Sequence, residues 1–88
     1  MRKIDSPPAF DRRLVKFIKK NPDLKEKIEK VFKLLERDVK HPLLHSHRLS
    51  GRLARYFACS ITYSYRLIFR FDQDYIYLRA IGSHDEVY

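Results

Sequence analysis

The stretch Tyr65-Arg66-Leu67-Ile68-Phe69-Arg70-Phe71 decides how the rest of the chain is read. At the two-residue period of a β-strand, Tyr65, Leu67, Phe69 and Phe71 share one face while Arg66, Ile68 and Arg70 share the other. A core lies on one side and cationic groups on the other. Residues 56–62 and 75–81 flank this stretch with the same apolar and aromatic character, and Asp72-Gln73-Asp74 supplies a hairpin turn before the last of them. The alternation assigns Phe57, Cys59, Ile61, Leu67, Phe69, Ile76, Leu78 and Ala80 to a covered face. It leaves Tyr56, Ser60, Thr62, Arg66, Arg70, Tyr75, Tyr77, Arg79 and Ile81 on an open one.

The covered face needs a lid, and the first half of the chain provides it. Arg2 to Asp5 reads as a short edge strand. Ser6-Pro7-Pro8 then reads as a helix start, with Ser6 as cap and prolines in the first turn. Phe10, Leu14, Phe17 and Ile18 recur at helical spacing up to about Lys20. Asn21-Pro22-Asp23 stops this helix and caps the next, whose stripe is Leu24, Ile28, Val31 and Leu35. Lys25 and Glu29, Glu26 and Lys30, and Glu29 and Lys33 stand four apart, a spacing that permits weak ion pairs on the outer face. Helices at the front and strands at the back give an α+β chain: an N-terminal helical hairpin packed on a small, mainly antiparallel twisted sheet, in a single domain spanning residues 1–88.

Eighty-eight residues with 44% hydrophobic and 34% charged side chains describe a folded globular chain rather than a disordered tail. No run is long and apolar enough for a membrane span, so no membrane partner and a cytoplasmic location are expected. The only cysteine, Cys59, falls on the covered face, where a small buried hydrophobe is the ordinary role. His41, His45 and His47 crowd the segment joining helices to sheet, but their spacings match no metal-site pattern and no cysteine ligand is at hand. Neither a metal nor a cofactor is expected.

The net charge of +8 and pI near 9.8 favour a polyanionic partner. All nine lysines lie in residues 1–44, whereas residues 45–88 carry six arginines and no lysine. Guanidinium groups bind phosphate bidentately and stack on bases, so their exclusive use in the sheet points to nucleic acid. A face of tyrosine and arginine suits single-stranded RNA, and it also suits a protein-protein hot spot. The chain ends in Gly82-Ser83-His84-Asp85-Glu86-Val87-Tyr88, which puts two groups capable of proton transfer, His84 and Tyr88, beside the arginine row.

The Tyr65-Arg66-Leu67-Ile68-Phe69 strand, the His47-Arg48-Leu49-Ser50-Gly51 run and the ending Ile81 to Tyr88 resemble the RelE/ParE superfamily of bacterial toxins, and within it the RelE and YafQ-like mRNA endonucleases. The resemblance spans nearly the full length. It implies a RelE-like microbial ribonuclease fold and the toxin of a type II toxin-antitoxin pair. The implied activity is that of an mRNA interferase, a metal-independent, ribosome-dependent endoribonuclease that inhibits translation. The implied partners are a cognate antitoxin, the ribosome and mRNA.

By position the resemblance implies His47, Arg66, His84 and Tyr88 as catalytic residues. Tyr65, which stands where YafQ-like toxins place a tryptophan, joins Arg70, Tyr77 and Arg79 as RNA-binding residues. Ser60, Ser64 and Ala80 depart from the pattern: they replace a histidine or lysine, an aspartate and an arginine. Arg79 fills the last place only if the register shifts by one. The same superfamily implies an alternative, a non-catalytic ParE-like toxin that inhibits DNA gyrase, and the missing basic groups at Ser60 and Ala80 fit that alternative.

Overall fold

The computed structural model describes residues Met1–Tyr88. The strands are β1 (Lys3–Asp5), β2 (His47–Arg48), β3 (Phe57–Ser60), β4 (Tyr65–Phe71) and β5 (Tyr75–Ser83), and the helices are α1 (Pro8–Lys20), α2 (Lys25–Arg37) and α3 (His84–Val87). One sheet holds all five strands in the order β1-β5-β4-β3-β2. Its pairings are antiparallel except that β1 runs parallel to β5 at the edge. A mixed α+β fold results, as the alternation of β4 requires. No helix is long and apolar enough to cross a membrane.

The helix boundaries differ in detail from the sequence reading. Pro7, not Ser6, is the residue before the first turn of α1, and the Ser6 hydroxyl reaches past it to the Asp11 carboxylate. Two prolines at the entrance lack the N–H groups that a serine cap would otherwise satisfy. Asn21 likewise does not cap α2. Its side-chain amide donates to the Phe17 carbonyl at 3.0 Å, closing the end of α1, while a 3₁₀ turn at Pro22–Leu24 leads into α2. None of the expected pairs on α2 closes: the one contact within 4.0 Å between oppositely charged groups is His84 with Asp85. Exposed lysines and glutamates lose more side-chain freedom than such contacts return.

Phe10, Phe17, Ile28, Val31 and Leu35 from the helices bury against Cys59, Ile61, Leu67, Phe69, Ile76, Leu78 and Ile81 of the sheet. Ile81 is here a core residue, contrary to the simple alternation. The reason is a bulge. Ile68 pairs with Ala80 but Phe69 pairs with Leu78, leaving Arg79 as an extra residue in β5. Beyond it the parity of the strand reverses, so Ala80 leaves the helix-covered face and Ile81 enters it.

The opposite face, expected to be open, carries a second small core. Ala58, Ile68, Ala80 and Val87 are buried together with Leu49 and Tyr56 packed around them. Val87 belongs to α3, so this short helix covers the centre of the sheet. Leu67→Ala should cost about 2–5 kcal/mol, and Ile68→Ala on the opposite face should cost a similar amount. Urea denaturation of both variants checks this: a loss below about 1 kcal/mol for Ile68→Ala would mean that α3 does not seal that face.

Candidate active site

Strand pairing sets out the α3-covered face row by row. Ser60 faces Arg66 and Arg66 faces Gly82; two residues after that glycine the chain turns into α3. A Cβ at Gly82 would crowd Glu86, lying 3.0 Å from its Oε1 and 3.1 Å from its Cβ. Glu86 bends back in this way to accept from the Ser83 N–H at 2.8 Å, forming a capping box with Ser83 at the start of α3. These bonds from Ser83, helped by Lys20 and Arg13, hold the Glu86 carboxyl below the usual range. From α1, the Arg13 guanidinium donates to the Glu86 carbonyl at 3.0 Å. A helix of four residues is thus tied at its cap and at its backbone.

The turn puts His84 and Tyr88 one above the other. Their rings meet edge to face with centroids 4.4 Å apart, the His84 side chain is largely exposed, and its Nδ1 lies 3.5 Å from the Asp85 carboxylate. Burial pushes the Tyr88 hydroxyl above its ordinary pKa, and the Arg66 guanidinium opposes that shift. Tyr88 is therefore a protonated donor at neutral pH within the field of Arg66.

Arg66 does more than carry charge. Its Nη1 donates to the carbonyls of Thr62 at 2.9 Å, Tyr63 at 2.9 Å and Tyr65 at 3.2 Å, so one nitrogen gathers the loop between β3 and β4. All three bonds use Nη1, which leaves Nη2 and Nε for an anion. Cys59, on the covered face, has its thiol pushed up to about 12 by burial, with Arg66 opposing. It is an inert core residue.

The remaining candidates divide into three places. His47 pairs with Ala58 on β2 and so shares the α3 face, but two strand spacings, about 10 Å, separate β2 from β4. Its Nδ1 lies 3.4 Å from the His45 carbonyl, and the side chain is exposed. Arg70, Tyr77 and Arg79 form a second group beyond Tyr56. Arg70 lies over the Tyr77 ring at 4.0 Å and Arg79 over the Tyr56 ring at 4.9 Å. Tyr77 donates to Asp72 at 2.8 Å, a bond that raises the Tyr77 pKa and lowers that of Asp72. Tyr65 is on neither of these surfaces. Its ring meets Phe17 edge to face at 4.9 Å on the helix side, where it lines a cleft with the arginines and lysines of α1. It stands at the opposite end of β4 from Arg70 and Tyr77 and shares its cleft with Glu86 of α3.

Sequence reasoning missed the groups that hold α3: Gly82, Ser83, Glu86 and Arg13. The Ser83-x-x-Glu86 spacing is a helix-start signal and carried that information. No three histidine, cysteine or carboxylate side chains converge in a group fit to hold a metal ion.

The model of the family described as "Bacterial toxin of type II toxin-antitoxin system, YafQ" matches residues 2–88. The chain belongs to the YafQ toxin family. No curated protein matches it in sequence. Among solved structures, YafQ from E. coli strain BL21(DE3) is similar with a TM-score of 0.84 at 17% identity, over 100% of this chain and 99% of that one. A copper-bound mutant toxin from Helicobacter pylori gives 0.80 at 23% identity, over 100% of both chains. The E. coli DinJ-YafQ toxin-antitoxin complex gives 0.81 at 18% identity, over 99% and 97%. These likenesses carry the fold, and the family model carries membership.

In this YafQ-family toxin, Arg66→Ala removes the one donor that binds three loop carbonyls. Backbone amides of residues 61–65 should then exchange with deuterium at least about tenfold faster, since each lost bond to a charged donor is worth about 1.5–3 kcal/mol. Hydrogen exchange followed by mass spectrometry reads this, and unchanged protection would show that the loop holds itself.

Proposed function

We propose that this YafQ-family toxin is a metal-independent endoribonuclease that cuts mRNA on the ribosome, inhibits translation and is neutralised by a cognate antitoxin. The observation that carries the reading is the meeting of three chemistries at one end of the sheet: Arg66 with Nη2 and Nε unused, and the edge-to-face pair of His84 and Tyr88. In the proposed reaction the 2′-hydroxyl loses its proton to a base and attacks the adjacent phosphorus. The P–O5′ bond breaks, and an acid returns a proton to the 5′-oxygen, leaving a 2′,3′-cyclic phosphate and a 5′-hydroxyl. Histidine suits either proton step at neutral pH, and Arg66 supplies fixed positive charge for the phosphorane. Tyr88 stacks on a base or donates to the phosphate. His47, exposed on the same face, becomes a partner in proton transfer when RNA bridges the distance.

Few catalytic groups on an exposed surface make the ribosome a natural partner, because orientation of the substrate can supply several powers of ten in rate. Antitoxin binding follows from the family and from a surface of net charge +8, which favours an acidic segment that folds on contact. The second reading, a ParE-like gyrase inhibitor, draws on Ser60 opposite Arg66, a small neutral group where the nuclease pattern has a base.

Sequencing RNA ends after induction, beside a supercoiling assay, separates the two. The nuclease reading expects growth arrest with codon-linked ends and normal supercoiling; arrest with intact messages and inhibited gyrase would replace it. On programmed ribosomes, His84→Ala should lower single-turnover cleavage by about 10²–10⁴-fold. His47→Ala should also lower it, and the double variant should lose little more than the worse single one if the two act as a unit. Full activity of His84→Ala would remove proton transfer by that residue from the mechanism.

A further inference from the structure

The most exposed aromatic residue in the protein, Tyr63 at 95%, lies one loop away from Arg66 and has no part in the site described above. It sits in the segment between β3 and β4 whose carbonyls Arg66 gathers. The Tyr63 backbone is therefore fixed by the same guanidinium that faces the site. Beside it, between α2 and this loop, runs a cleft of about 710 Å³ whose lining includes Tyr63, Leu43, Ser60, Lys27, Lys30 and Arg66. Leu43 is 70% exposed, so an aromatic and an aliphatic residue, both open to solvent, border the same cleft. Lys27 and Lys30 make no ion pair within 4.0 Å. Asp23 and Glu26 also line the cleft, leaving three cations against two carboxylates. That small excess, with Arg66 counted in it, suits the backbone of one nucleotide rather than a long run of phosphates.

We propose that this cleft is a nucleotide subsite continuous with the Arg66 site: Tyr63 stacks on the base of one nucleotide beside the scissile phosphate, with Leu43 lining the same cleft and Lys27 or Lys30 meeting the flanking phosphate. Tyr63 is then a specificity-determining residue. The tether to Arg66 links where the base stacks to where the phosphate is held. The inference rests on the nuclease reading given under the proposed function.

The test uses ribosomes programmed with a message that carries 2-aminopurine in the A-site codon and a 2′-deoxy group at the cleavage position, so that binding is read without cutting. Unmodified message gives kcat and KM in parallel. Wild type and Tyr63→Phe should quench the fluorophore at one codon position. Tyr63→Ala should lose that quench and raise KM about tenfold or more, with kcat within about twofold and the melting temperature unchanged. Unchanged quench and KM in Tyr63→Ala, while wild type cuts normally, would overturn the subsite and leave the nuclease standing. Unchanged RNA readouts with weakened antitoxin binding would assign the cleft to protein and also overturn it. Failure of wild type to cut on the ribosome would sink the nuclease reading and the subsite together.

Discussion

One extra residue in β5 governs the architecture of the candidate site. With Arg79 unpaired between Leu78 and Ala80, the strand contributes Ile76, Leu78 and Ile81 to the helix-covered core and still turns Ala80 to the other side. A regular strand that kept Ile76 and Leu78 in the core would put both Ala80 and Ile81 on the wrong face. The small side chain at position 80 leaves room for α3, whose Val87 packs with Ala58, Ile68 and Ala80. The bulge also leaves Arg79 with Tyr56 at the rim of that layer. Bulges beside functional sites commonly re-aim side chains in this way.

From that layer the position of His84 and Tyr88 follows. Four residues cannot hold a helix by themselves, because nucleating a turn costs more than its few hydrogen bonds return. Here the turn is held from three directions: Val87 by burial, Glu86 by its bonds to Ser83, and the Glu86 carbonyl by Arg13 reaching across from α1. Gly82 permits the close return of Glu86. The helical hairpin is thus more than a lid on the core; through Arg13 it also orients the end of the chain that carries the imidazole and the phenol.

What could be read from the residues was whatever repeats. The residues of β4 alternate with the one exception of Ile68, and the stripes of α1 and α2 recur at helical spacing, so the fold class, the hairpin and most of the helix-facing side of the sheet were legible. The bulge was not, since Tyr77-Leu78-Arg79-Ala80-Ile81 continues an acceptable alternation through Ala80 and only the adjacent Ala80-Ile81 pair breaks it. β2 has two residues, too few to show a period at all. Within the site, His84, Tyr88 and Arg66 were recognisable as residue types in a motif, and the alternation of β4 already put Tyr65 on the face opposite Arg66, where its ring meets Phe17. The grip of Arg66 on three carbonyls had no signal, as carbonyl direction depends on loop shape rather than on side-chain identity.

Lysine and arginine divide the labour of this basic surface. No lysine or arginine forms an ion pair within 4.0 Å, and the net charge of +8 acts at range, attracting polyanions in a salt-dependent way. The sheet-side arginines are engaged at short range instead: Arg48 over Phe57, Arg70 over Tyr77, Arg79 over Tyr56 and Arg66 on carbonyls. A stacked guanidinium keeps its outer face and its edge donors free while its rotamers are already restricted. Binding a phosphate there loses less side-chain entropy than binding it with a free lysine. Diffuse attraction therefore suits α1 and α2, and directed contact suits the sheet, where Arg66 joins the backbone of the β3–β4 loop to a guanidinium with Nη2 and Nε still unused.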